Sequence, residues 1–121
     1  MKLFTDEIQT AKLIELGFEK PKSVTEISWQ EIEKDNPIIN ANTIEYTRAY
    51  SIGELIEMLP KSLKNPYNPP LAIEWNGKWR VYYGVPEEYS WEWSIWYEEE
   101  RKELIDALYD MCVRLKEKGV I

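Results

Sequence analysis

Carboxylates are the residues of this sequence most able to do chemistry, and they are concentrated. Between Val85 and Asp110 stand nine of them: Glu87, Glu88, Glu92, Glu98, Glu99, Glu100, Glu103, Asp106 and Asp110. Only Arg101 and Lys102 oppose them, so this stretch carries the whole net charge of −7. In the remainder thirteen acids balance thirteen bases. The same stretch holds Tyr89, Trp91, Trp93, Trp96, Tyr97 and Tyr109. Crowded carboxylates suit three tasks: proton transfer, capture of a hard cation, or selection of a basic partner by charge. Proton transfer needs a pocket enclosing two acids of perturbed affinity, and no spacing distinguishes a pair such as Glu87 and Glu92 from surface charge.

The usual helpers of catalysis are missing. There is no histidine, hence neither the commonest general base nor the commonest metal ligand. Cys112 falls in an apolar helical stripe, where a thiol behaves as a small hydrophobe. Five glycines never cluster into a phosphate-cradling loop. No catalytic residue, metal or cofactor is therefore expected. The acidic balance also argues against direct nucleic-acid binding, which needs Lys and Arg to neutralise phosphates. No apolar run is long enough to span a bilayer. The opening Met1–Glu7 turns acidic at once, and one cysteine cannot form an internal disulfide. A soluble, reduced, cytoplasmic protein is expected, and 121 residues at 44% hydrophobic fit a single domain, 1–121.

Local signals give the elements that must position the carboxylates. A helix over about 6–16 has Thr5 to cap it, Gly17 at the left-handed C′ position and a Phe18–Leu13 contact to seal its end. Ser28-Trp29-Gln30-Glu31 has capping-box spacing for a short helix that Pro37 would stop. Residues 43–49 alternate as a strand that would join the sheet at an edge. Ser51-Ile52-Gly53-Glu54 is a second capping box, and Ile52, Leu55, Ile56 and Leu59 give the 51–59 helix an apolar face ending at Pro60. Prolines 60, 66, 69 and 70 then stiffen a connector.

Asn76-Gly77, between two alternating runs, marks a hairpin. A three-residue loop, Trp75-Asn76-Gly77, would pair Ile73 with Trp79 and Leu71 with Val81. It would place Leu71, Ile73, Trp79, Val81 and Tyr83 on one face. Period-two alternation from Ser90 to Tyr97 predicts a third strand with Trp91 and Trp93 inward. A last helix is expected over about 98–118, its end marked by Gly119.

On that helix Leu104, Leu108, Met111, Cys112 and Leu115 share one face, while Glu99, Glu103, Asp106 and Asp110 fall together on the opposite one. Like charges at this spacing disfavour an isolated helix by a few tenths of a kcal/mol per pair, roughly. Two readings follow. A charged helix face ordinarily keeps a protein soluble. The sharper reading is a dock for a basic protein, with Trp96 beside the acids as an anchor. A solvent-facing stripe would tolerate reversal of Glu103 and Asp106 to lysine.

The order of connector, WNGKW hairpin, aromatic strand and ELIDALYDMCVRLKEKG helix, over Ser51–Ile121, resembles small proteins of prophages and mobile elements in gut bacteria. That group has no assigned activity, so the resemblance implies an accessory or host-directed role and carries over no site residues.

The expected fold is α+β: a three-stranded antiparallel meander (about 71–75, 78–84, 90–97) with the C-terminal helix on one face and two or three further helices. Leu71, Ile73, Trp79, Val81, Leu104, Leu108, Cys112 and Leu115 are expected in the core. The functional expectation is a non-enzymatic protein-binding module using Trp96, Glu99, Glu103, Asp106 and Asp110 against a basic protein. An acidic mimic of nucleic acid and a small carboxylate enzyme are the alternatives. A homodimer, through a sheet face or edge, fits any of them.

Overall fold

A computed structural model of the chain describes residues 1–26, 46–64, 68–86 and 93–121. Its elements in order are α1 (Glu7–Glu15), β1 (Val24–Glu26), β2 (Tyr46–Arg48), α2 (Ile52–Met58), β3 (Leu71–Trp75), β4 (Trp79–Pro86), β5 (Trp93–Arg101) and α3 (Leu104–Glu117). The short helix expected after Ser28 lies outside the described residues, as do Glu87, Glu92 and Trp91.

Helix α1 is capped one residue later than expected. The Asp6 side chain accepts from the Gln9 amide at 2.8 Å while the Gln9 side chain accepts from the Asp6 amide at 3.0 Å. Thr5 is instead buried, its hydroxyl accepting from the Tyr50 amide at 3.0 Å and lying 2.7 Å from the Thr10 hydroxyl. Because Thr10 Oγ1 donates to the Asp6 carbonyl at 2.7 Å, Thr5 is the donor of that hydroxyl pair. A short β-forming residue with a buried use loses the capping role to Asp6. The other end of α1 is as expected: Gly17 has φ +99° and the Phe18 amide donates to the Leu13 carbonyl at 3.2 Å. Helix α2 has its Ser51–Glu54 capping box, but Ile56 is exposed, so its apolar face is narrower than the sequence suggests.

Strands β3, β4 and β5 form an antiparallel meander in that order. Trp75 pairs with Trp79, Ile73 with Val81 and Leu71 with Tyr83. The loop is therefore Asn76-Gly77-Lys78, not Trp75-Asn76-Gly77. The shift moves each pairing by two residues and so preserves the face assignment. Its physical reason is an aromatic pair: the Trp75 and Trp79 rings meet across the strands with centroids 5.2 Å apart. Gly77 supplies the positive φ the loop needs, +76°.

The larger correction concerns β5. The expected helix start at Glu98 is strand through Arg101, with Val81 opposite Glu99 and Trp79 opposite Arg101. Ladder pairing with β4 overrides the helix preference of Glu98-Glu99-Glu100. Glu103 then stands at the N-cap of α3 without a side-chain capping bond. Strand β2 does not join the meander either. It pairs antiparallel with β1 in a separate two-stranded sheet.

Helix α3 packs on one face of the meander, giving the α+β class expected. Its buried residues Leu104, Ile105, Ala107, Leu108, Met111, Cys112 and Leu115 meet Val81 and Tyr83 of the sheet, Leu13 of α1, and Tyr50, Leu55 and Leu59 around α2. Leu71, Ile73 and Trp79, expected buried, are half-buried against this core. They lie on strands at the open side and hairpin end of the sheet. The Tyr83 hydroxyl, inside the core, donates to the Pro60 carbonyl at 2.6 Å and ties β4 to the end of α2.

Candidate binding surface

The five residues singled out by sequence do not form one helix face. Glu99 is on β5, with its side chain on the same face of the sheet as α3. There it pairs with Arg114 Nε at 3.0 Å. Two residues on, Arg101 pairs with Asp110 at 2.9 Å. Strand and helix run in opposite directions, so a minus–plus order on β5 meets a plus–minus order on α3. Burial pushes both the Glu99 and Asp110 carboxyls up in affinity for a proton, against the opposing charges of Arg114 and Arg101. The two acids share a shallow open depression of about 430 Å³ with Tyr109, Val113, Arg114, Glu117 and Lys118.

Asp106 and Glu103 serve a second purpose, anchoring the N-terminal segment. Asp106 Oδ1 accepts from Lys2 Nζ and from Gln9 Nε2, both at 2.8 Å. Glu103 Oε2 accepts from the Lys2 backbone amide at 3.0 Å. Lys2 Nζ also donates to the Gln9 side-chain oxygen at 3.0 Å. Burial alone would raise the Asp106 carboxyl, but the bonds from Lys2 and Gln9 outweigh it and hold it below the ordinary carboxylate range. With its side chain only 17% exposed, Asp106 is not the solvent-facing acid the sequence suggested. Lysine there would face Lys2.

The acidic stripe is thus divided among internal partners, and the exposed apolar surface lies elsewhere. Trp96 sits at the irregularity where β4 and β5 slip register, between Tyr83 and Gly84, and is 39% exposed beside the comparably exposed Ile95. The more open ring is Trp75, 58% exposed. With Trp79, Met1, Lys102 and Glu103 it lines an open depression of about 380 Å³ at the hairpin end of the sheet. Here the N-terminal end of α3 leaves the helix-covered face open. Met1 is itself largely exposed. A signal for Trp75 was present in the sequence: a tryptophan flanking an Asn-Gly turn stands at the rim of a sheet, beyond the reach of a covering helix.

The opposite face of the meander is polar and self-satisfied. Arg80 pairs with Glu98 at 2.7 Å and Glu74 at 2.8 Å, and its guanidinium lies over the Tyr82 ring at 4.5 Å from the centroid. Cys112 is fully buried and its thiol is pushed up to about 12 by desolvation, so it is not a thiolate at neutral pH. Among the described residues no group of three or more His, Cys, Asp or Glu is arranged to hold a metal ion, and no helix is long and apolar enough to cross a membrane. Compared with protein-family models, curated proteins and solved structures, the chain matches none.

Proposed function

We propose that this protein is a non-enzymatic protein-binding module whose contact centre is the aromatic hairpin end, Trp75 with Trp79 and Met1. The observation that carries this reading is the exposure of Trp75. A tryptophan left 58% open contributes to folding chiefly through its cross-strand contact with Trp79, which leaves most of its apolar surface to a partner. Buried tryptophans dominate the affinity of protein interfaces. The partner is proposed to be basic, because the whole chain carries −7 and such a field speeds encounter with positive surfaces. Trp96 and the acids Glu99, Glu103, Asp106 and Asp110 then serve at the rim or in the frame, since each of those acids already has a partner inside the chain. An accessory or host-directed role fits a small module of this kind.

The test is a paired affinity capture from native lysate with wild type and Trp75→Ala, followed by titration of the purified partner. The expected result is a defined partner that Trp75→Ala binds at least about 2 kcal/mol more weakly, roughly thirtyfold. The variant is expected to stay folded and to lose only the contribution of the Trp75–Trp79 pair, about 1 kcal/mol. Equal affinity for both chains would remove the hairpin end from the interface. A second reading, a carboxylate-using enzyme, has one observation in its favour: Glu99 and Asp110, both raised in proton affinity, share a depression. Each also lies against an arginine, which suits a structural pair better than a proton shuttle.

A further inference from the structure

Each outer strand of the β3-β4-β5 sheet has an edge able to accept another strand. Hydrogen-bond alternation settles which groups point outwards. The Leu71 amide donates away from β4, to the Lys61 carbonyl at 2.9 Å. Its neighbour Ala72 therefore bonds towards β4, to its pairing residue Tyr82. The backbone groups of Tyr82 then face β3, not β5. Opposite Tyr82 on β5 stands Glu98, so the N–H and C=O of Glu98, and of Glu100 two residues on, point to the outer edge.

The two edges are covered differently. Along the start of β3 runs the proline-rich connector, joined by the Lys61–Leu71 bond and by a bridge between Ser62 and Pro70. On β5, among the described residues, a side chain caps an outward carbonyl. Arg114 Nη1 donates to the outward Glu98 carbonyl at 3.2 Å while its Nε pairs with Glu99. Among the described residues β5 has only β4 as a strand partner, and it is nine residues long.

The edge ends in Glu98-Glu99-Glu100-Arg101, and Lys102 follows at the bend into α3. Antiparallel pairing with a second copy about a two-fold axis at Glu100 would set Glu98 opposite Lys102 and Glu99 opposite Arg101. Glu100 would face its own counterpart. Four of the five positions are then complementary in charge, and the symmetry is the isologous kind that closes as a dimer. The central pair of glutamates opposes it, and Glu98, Glu99 and Arg101 would share their charges with the partners they already have, Arg80, Arg114 and Asp110.

We infer that the outer edge of β5 is a latent self-pairing surface, held closed by the Arg114 cap on the Glu98 carbonyl and by the like charges that pairing would bring together at Glu100. This inference does not rest on the partner proposed at the hairpin end, although Lys102 lines that depression too.

Sedimentation velocity over a wide concentration range tests it. Wild type is expected at the mass of one 14.4 kDa chain, and Arg114→Ala with Glu100→Gln at twice that mass as concentration rises. Adding Lys102→Glu, which sets glutamate against glutamate at Glu98, is expected to return the protein to a single chain. Three results would overturn the inference. They are a double variant that stays single with wild-type circular dichroism, a dimer indifferent to Lys102→Glu, and a wild type that already dimerises. Arg114→Gln, which keeps a polar side chain, and Glu100→Gln alone repeat the test if Arg114→Ala unfolds.

Discussion

Asp106 and Asp110 occupy successive turns of α3 yet differ in the direction of their proton affinities, and the cause is local. Asp106 receives hydrogen bonds from Lys2 and Gln9 that outweigh its burial. Asp110 is raised chiefly by burial, with Arg101 opposing and the charge of Asp106 adding to the rise. A carboxyl lowered by folding contributes stability above its unfolded pKa, and that contribution disappears as pH falls through its folded value. A raised carboxyl does the reverse: its favourable contribution is present at low pH and is lost as pH rises through the folded value. Asp106→Asn is therefore expected to destabilise the protein by about 1–2 kcal/mol at neutral pH, the range for a partly exposed hydrogen-bonded charge. The difference from wild type should shrink as the solution is acidified. Asp110→Asn should change stability little at neutral pH, and Glu99→Gln likewise. Urea melts at neutral and acid pH distinguish the two positions, and equal losses at 106 and 110 would contradict the assignment.

At the scale of elements, the legible parts were those specified by a few adjacent residues. The Ser51–Glu54 capping box, the Gly17 ending of α1 and the apolar stripe of α3 all follow from local chemistry that tertiary contacts reinforce. The faces of the β3–β4 hairpin were legible too, because a two-residue slip leaves side-chain alternation intact. What failed was decided at a distance. Glu98-Glu99-Glu100 reads as a helix start until pairing with β4 is known. Thr5 reads as a cap until its bond with Tyr50 is known. Of the proposed surface, the sequence offers Trp96 either as a contact residue or as a covered ring, and Trp75 falls inside the expected loop. The four acids do not share the one helix face expected of them, because Glu99 lies on β5, and their partners Lys2, Arg101 and Arg114 required the fold. One prediction belongs to this scale. Gly77 has φ +76° and a β-carbon there would meet nothing, so Gly77→Ala should lower stability by about 1 kcal/mol through backbone strain alone. Thermal melts check this, and a stabilised Ala variant would refute the turn conformation.

At the scale of the molecule, charge and architecture separate. The described residues hold 15 acids and 14 bases, and the remaining seven acids and Lys34 lie in the stretches 27–45 and 87–92. The described residues are thus close to neutral, and eight of their acids pair with bases. The −7 of the whole chain resides mainly in those two stretches. Among the described residues, stability on the acid side should follow the two lowered carboxyls, Asp106 and Glu54. Burial would raise Glu54, but bonds from Ser23, Lys22 and Ser51 hold it down, joining the chain before β1 to the start of α2. Both contributions are complete at neutral pH and fade together on acidification. The central claim is that Trp75 is the contact residue. It is tested most directly by oxidative footprinting of the tryptophans, with and without the captured partner. Trp75 is expected to be the most reactive ring of those described in the protein alone and to become protected in the complex. A Trp75 that reacts equally in both states, while the partner remains bound, would contradict it.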